Sequence, residues 1–250
     1  MKKFCNSIRL KILDISQNVS ALHVGGSFSC VEILSTLYKK FYKGNNIILS
    51  KGHAGICQYA ILNSLNIISN KDIKEYCKNN GELGVHPHID NPGIVASTGS
   101  LGHGLAISAG MAYLNPKKDF FVLLSDGEMM EGSVWEAVLI ISSLKINNIK
   151  IIIDNNGLQS STWNKNTHPT LTPLHTKFKS FGWSSSTCDG HNYNEIEKKL
   201  KKKYKKPYAL IAKTVKGYPV SFMKNNPIWH YRSPNKTELE KARREILSEK

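Results

Sequence analysis

Apolar positions along the chain recur in two patterns that alternate: a spacing of three and four residues, and short unbroken runs. Phe4, Ile8, Ile12 and Ile15, with Lys and Arg between them, predict an amphipathic helix over residues 2–18. Residues 21–27 break that spacing with two glycines, and a second helical run through Val31, Leu34, Leu37 and Tyr38 begins at Ser29. Ile47 to Leu49 predicts a short strand, and Ile56, Ala60 and Ile61 begin another helical face. Residues 80–104 are too rich in Gly, Pro and Asn for regular structure and predict a long loop. Gly104, Ala106, Ala109, Gly110 and Ala112 then predict a helix over 102–114 that packs closely on its neighbours.

The pattern is sharpest over residues 120–158. Phe120 to Leu124 reads as a buried strand that stops at Ser125-Asp126-Gly127. Val134, Val138, Ile141 and Leu144 follow at helical spacing, with Glu128, Glu131 and Glu136 toward the positive N-terminal end of that helix. Ile149 to Ile153 reads as a second buried strand, stopped by Asp154-Asn155-Asn156-Gly157. Strand, helix, strand in this order is a βαβ crossover, which puts both polar stops on one edge of a parallel sheet. Beyond it, residues 159–173 read as irregular surface, 174–181 as a helix, 183–188 as a strand, 194–200 as a helix and 208–212 as a strand. Gly217, Pro219 and Pro227 then put His230 on a loop, and residues 236–249 close as a charged helix. The alternation predicts an α/β fold: one domain over 1–250, with a doubly wound, mainly parallel sheet and helices on both faces.

Composition narrows the class. The net charge is +15, drawn most densely from Lys198 to Lys206. No base-stacking aromatic pattern accompanies those lysines, so the run reads as a solvated helix end rather than a nucleic-acid site. No apolar run is long enough for a membrane span, and Arg9, Lys11 and Asp14 fall where a signal peptide would be apolar, which predicts a cytoplasmic protein. Cys5, Cys30, Cys57, Cys77 and Cys188 are scattered without paired spacing and predict free thiols.

The two polar stops carry the candidate chemistry. Asp126 offers a carboxylate, Asn156 an amide oxygen and the backbone near Leu158 a carbonyl, an all-oxygen set suited to Mg²⁺ or Ca²⁺ and unsuited to zinc. Mg²⁺ takes few protein ligands and completes its shell with phosphate oxygens and water, so the set predicts a metal-diphosphate site. Gly127 lets the backbone approach such a ligand, and the helix that follows can donate N–H groups to phosphate. His23 sits at a helix entrance, and His53, after Gly52, at a strand-to-helix junction. His86, His88 and His103 share the long loop, but without the spacing of a zinc site.

These motifs resemble the transketolase family. SDGEMMEGSVWEA at 125–137 with Asn155-Asn156 resembles the thiamine-diphosphate fingerprint, whose first glycine is Ser125 here. HVGGS at 23–27 resembles the family's HPGGS loop with Val24 for proline, and LSKGHA at 49–54 is similar to its own. VHP, STGSLGHG, DGHN and a KTVKG segment ending in Trp229-His230 follow in the family's order. The resemblance implies thiamine diphosphate and Mg²⁺ as cofactors, with Ca²⁺ or Mn²⁺ able to substitute. It implies that His23, His86 and His230 contact the reacting sugar, and that such histidines, titrating near neutrality, shuttle protons. His53 and His230 would meet the diphosphate, while Gly99, Ser100 and Leu101 would pack on the cofactor beside Gly127. Asp126, Asn156 and Leu158 would hold the metal.

The resemblance also implies what a partner must bring. In transketolases this domain is followed by a pyrimidine-binding and a third domain, and the activating glutamate belongs to the second. The expectation is therefore the N-terminal subunit of a split transketolase of the pentose phosphate pathway, paired with a separate C-terminal subunit in an α₂β₂ assembly that acts on phosphorylated sugars. Glu131 would lie at that interface. Two alternatives stay open: another split thiamine-dependent ketol- or acyl-transfer enzyme in sugar or secondary metabolism, and a non-catalytic regulatory paralogue.

Overall fold

The computed structural model describes residues 1–248. Five strands, β1 (Ile47–Leu49), β2 (Phe120–Ser125), β3 (Ile149–Asn155), β6 (Ser184–Asp189) and β7 (Tyr208–Lys213), form a sheet in the order β1-β2-β3-β7-β6. Every pairing in it is parallel. The inner strands are apolar without alternation because both their faces are covered. Phe121 and Leu123 of β2, with Leu210 of β7, look into one core; Phe120, Val122 and Leu124, with Ile151 and Ile153 of β3, look into the other. Burying each side chain of this size contributes about 1.5–3 kcal/mol.

Helices cover both faces. Against the first core lie α1 (Lys2–Ser16), α2 (Val24–Ser29), α3 (Val31–Lys40), α4 (Gly55–Ser64), α10 (Tyr193–Lys201) and α11 (Lys236–Ser248). Against the second lie α6 (Gly104–Leu114), α7 (Gly132–Ser143) and α9 (Leu174–Ser180). Position 249, included in the expected last helix, lies outside the described residues. Cys5, Cys30, Cys57 and Cys188 are buried free thiols and Cys77 is half-buried. Among the described residues no helix is long and apolar enough to cross a membrane.

Several expectations change in detail. Gly25 and Gly26 do not interrupt the helical structure: they lie inside α2. A Cβ on Gly25 would stand 2.8 Å from the carbonyl oxygen of Trp229, so the glycine serves close packing rather than a break. Glu128 does not belong to α7 but to a separate 3₁₀ turn, Gly127–Met130, and it is fully buried. Residues 159–173, expected to be irregular, hold the small hairpin β4 (Leu158–Gln159) and β5 (Thr162–Trp163), then α8 (Asn164–Thr167). The short helix α5 (Asn70–Lys74) is held by a capping box between Ser69 and Asp72.

Helices α6 and α7, which pack on each other, both leave large apolar side chains exposed. Ile107, Tyr113 and Leu114 of α6 and Leu139 and Ile140 of α7, with Leu144 just after it, are exposed large hydrophobics.

Candidate active site

The tips of β2 and β3 meet as the sequence predicts. Ser125 is in register with Asp154, and the Asp126 amide donates to the Asp154 carbonyl oxygen. The Asp126 carboxylate accepts the Gly127 amide at 2.9 Å and, across the gap between the strands, the Gly157 amide at 2.6 Å. One side chain thus ties the first polar stop to the second. Asn156 Oδ1 accepts the Leu158 amide at 3.0 Å, which closes the second stop into a tight loop.

Beside these tips lies a cavity of about 510 Å³. Its wall takes Gly127, Asn156 and Leu158 from the strand tips, His23 and Gly26 from α2 and the residue before it, and His53 from the turn entering α4. His86, Gly99 and Leu101 come from the long loop, Glu131 from the start of α7, and Lys216 and His230 from the segment after β7. Ser100 is not in the wall. Gly99 at φ +145° and Gly102 at φ +87° turn the loop between them, leaving Ser100 exposed. Gly99 has little choice of residue, since a Cβ there would stand 2.8 Å from the His86 ring. Of the other loop histidines, His88 is exposed beside Asp90, and His103 stands just before α6, outside the wall, without a side-chain bond to the helix.

The histidines form one group. The His23 ring centre is 4.9 Å from that of His230, 5.3 Å from His53 and 6.3 Å from His86. Burial pushes His23 down to about 4, with His86 adding to it, and His230 down to about 3, with Lys216 adding to it. His53 is held well below its ordinary value by burial and then by Lys51, and burial also lowers His86. Against the expectation of groups titrating near neutrality, burial lowers all four rings, and Lys51 and Lys216 lower His23, His53 and His230 further. His23 Nδ1 is a buried nitrogen with no partner among the described residues.

Reading the sequence for site residues missed Lys216, although it lies in the quoted KTVKG segment. It is 2 % exposed, lines the cavity, and donates from Nζ to the Ser160 carbonyl oxygen and to His230 Nδ1. Burial, followed by Lys51, lowers it to about 8, so at neutral pH it remains mainly a cation in the cavity wall. Also unforeseen was Glu128, which accepts from Ser50 Oγ, the Gly102 amide and the Ser125 amide and so fixes the Gly99–Gly102 turn. Gln159, Ser160 and His168 complete the lip.

The residues fit a divalent ion on a diphosphate. Burial, and then Asp154, raise Asp126 to about 7, and among the described residues no cationic side chain is bonded to it. Among the described residues no group of three His, Cys, Asp or Glu could hold a metal, so an ion here needs phosphate oxygens beside Asp126, Asn156 and Leu158. Lys216 and the imidazoles suit the other phosphate oxygens.

Residues 1–247 match the family model described as transketolase, thiamine diphosphate binding domain. The chain belongs to that family. A relative from Phocaeicola vulgatus, named as one subunit of an apulose-4-phosphate transketolase, is 33 % identical, over 95 % of this chain and 90 % of its own length. A Clostridium protein named 6-deoxy-6-sulfo-D-fructose transketolase subunit SqwG is 30 % identical, over 87 % of this chain and 85 % of its own. The solved transketolase of Leishmania mexicana shares the fold at a TM-score of 0.91 and 21 % identity, matching 98 % of this chain. This transketolase-family chain spans 41 % of the length of that enzyme.

Proposed function

We propose that this chain is the diphosphate-binding, N-terminal subunit of a two-component transketolase. With a separate subunit it would move a two-carbon ketol unit from a ketose phosphate to an aldose. The observation that carries this reading is the convergence of His23, His53, His86, His230 and Lys216 with Asn156 at one cavity, with Asp126 buried just behind its wall and bonded to the Gly157 amide, in a chain of this family.

Asp126, Asn156 and the Leu158 carbonyl would hold Mg²⁺, or Ca²⁺ or Mn²⁺ in its place. His53, Gly99, Leu101, Gly127, Lys216 and His230 would receive the cofactor. Thiamine diphosphate supplies, when bound, the carbon nucleophile that carries the two-carbon fragment. The chain's own groups do the rest. His230, with Nδ1 occupied by Lys216, offers an Nε2–H to a sugar oxygen. His23 and His86 bond sugar hydroxyls as neutral rings and can take up a proton released there. Glu131, exposed at the cavity rim, would face the subunit that brings the activating glutamate.

Partner dependence is supported by the relatives named as subunits and by the bare apolar face of α6 and α7, in keeping with an α₂β₂ assembly in the cytoplasm. The same names favour a specialised sugar phosphate or sulfonate as substrate over the pentose phosphate pathway. Calorimetry on the chain with its co-expressed partner should show thiamine diphosphate binding that requires Mg²⁺, and turnover with ketose phosphates but not pyruvate. Absence of Mg²⁺-dependent binding would favour a regulatory paralogue, and turnover of pyruvate would favour a different thiamine enzyme.

A further inference from the structure

Behind the cavity wall, a carboxylate that contributes nothing to that wall gathers the site together. Asp154 is fully buried near the end of β3, two residues before Asn156. Its Oδ2 accepts from Lys51 Nζ at 2.5 Å and from Ser29 Oγ at 2.6 Å, and its Oδ1 accepts from Thr214 Oγ1. Lys51, also fully buried, donates in addition to the Gly26 carbonyl oxygen at 2.9 Å. Each donor belongs to a different stretch of chain. Ser29 and Gly26 are in α2, whose entry residue is His23. Lys51 stands two residues before His53, and Thr214 two residues before Lys216.

We propose that Asp154, paired with Lys51, is a positioning residue: one buried carboxylate clamps the four segments that bring His23, His53, Asn156 and Lys216 to the cavity. Stability alone is a weak reason for such a pair. The loss of hydration of two buried charges offsets most of their attraction, and apolar pairs of similar volume commonly hold a fold as well. What an apolar pair cannot do is accept three donors from three directions at one fixed point. The surroundings agree with this: Thr214 and Lys51 follow strands whose pairing holds their backbones, whereas Ser29 ends a helix outside the sheet, so the carboxylate ties the tips of two separate ladders to α2. The charge has a second effect, because Lys51 is among the groups that keep His23, His53 and His230 neutral.

The inference rests on the diphosphate reading for its consequence in binding, but the clamp itself can be read without any cofactor. Amide hydrogen exchange on the full chain would compare the wild type with Ser29→Ala, Thr214→Val and the double variant Lys51→Met/Asp154→Leu. Expected is a local signature. Thr214→Val should speed exchange about tenfold in 213–217 alone, and Ser29→Ala in 24–29 alone. The double variant should loosen both, and 51–54 as well, while β2 and the core of β3 keep their protection. Unchanged exchange in these segments, or a uniform rise across the molecule, would overturn the clamp. Should the double variant not fold, the two hydroxyl variants decide the question by themselves. Thiamine diphosphate with Mg²⁺ is the second readout, and about a tenfold weaker affinity is expected in the double variant at an unchanged melting temperature. A wild type that binds no thiamine diphosphate would sink the functional reading and leave the exchange result to judge the clamp.

Discussion

Lys216 donates from Nζ to Nδ1 of His230 across 3.0 Å, which leaves the ring proton of His230 on Nε2, the nitrogen free to meet a substrate. A cation of the cavity wall and the tautomer of a candidate catalytic ring are thereby linked. Lys216→Met should lower thiamine diphosphate affinity by about tenfold or more, through loss of a charged contact to phosphate. It should also let His230 titrate higher, since Lys216 is the second cause of its depression after burial. Nitrogen-15 NMR of the histidine rings would follow both the tautomer and the titration. An unmoved His230 resonance in the variant would refute the link.

Acid should destabilise the protein through the same rings. His23 is held at about 4 and His230 at about 3, both below the ordinary 6.5. The unfolded chain therefore takes up protons first as pH falls. The stability these groups contribute is full above 6.5 and is lost as pH descends toward their folded values. Each costs up to about 1.4 kcal/mol per pH unit in that window, less where water screens the ring. Scanning calorimetry from about pH 7 to pH 5 should show a falling Tm, and His23→Gln/His230→Gln should flatten the slope.

Asp126 sets function against stability. Its carboxylate is buried with no cationic side chain bonded to it, so burial of the charge is costly in the absence of a metal ion. Asp126→Asn removes the buried charge but also one of the two oxygens that accept the Gly127 and Gly157 amides, so the Tm of the cofactor-free chain should change little, while the increase that Mg²⁺ and thiamine diphosphate together produce is abolished. A variant whose Tm still climbs with both ligands would show that this residue does not hold the ion.

The exposed apolar face should govern assembly. Leu114→Glu or Ile140→Glu puts a charge on the exposed side of α6 or α7 without touching the buried core. Size-exclusion chromatography with light scattering should then find the smaller species, with the Tm of the isolated chain little changed. Unaltered assembly would locate the contact elsewhere.

The α/β alternation was legible because the inner strands, apolar on both faces, stand out as short unbroken runs between helical periods. The strand tips were legible for the same reason, since an acid and an amide ending two neighbouring parallel strands must face one crevice. Gly25 and Gly26 misled because glycine marks both a chain break and a close approach, and only the neighbour, the Trp229 carbonyl, distinguishes them. The hairpin at Leu158–Trp163 was too short to show a period. Lys216 and Asp154 were hidden by their type: a lysine reads as surface and an aspartate at a strand end as a turn residue until burial and partners are known. The low histidine pKa values likewise belong to the packed cavity rather than to the residues.

Helix α7 has the cavity rim at one end, where Glu131 precedes Gly132, and bare Leu139 and Ile140 toward the other. Twelve residues of α-helix make a rod about 18 Å long. A body resting on the far end would therefore sit within one helix length of the mouth of the reaction chamber, joined to it by unbroken α-helix.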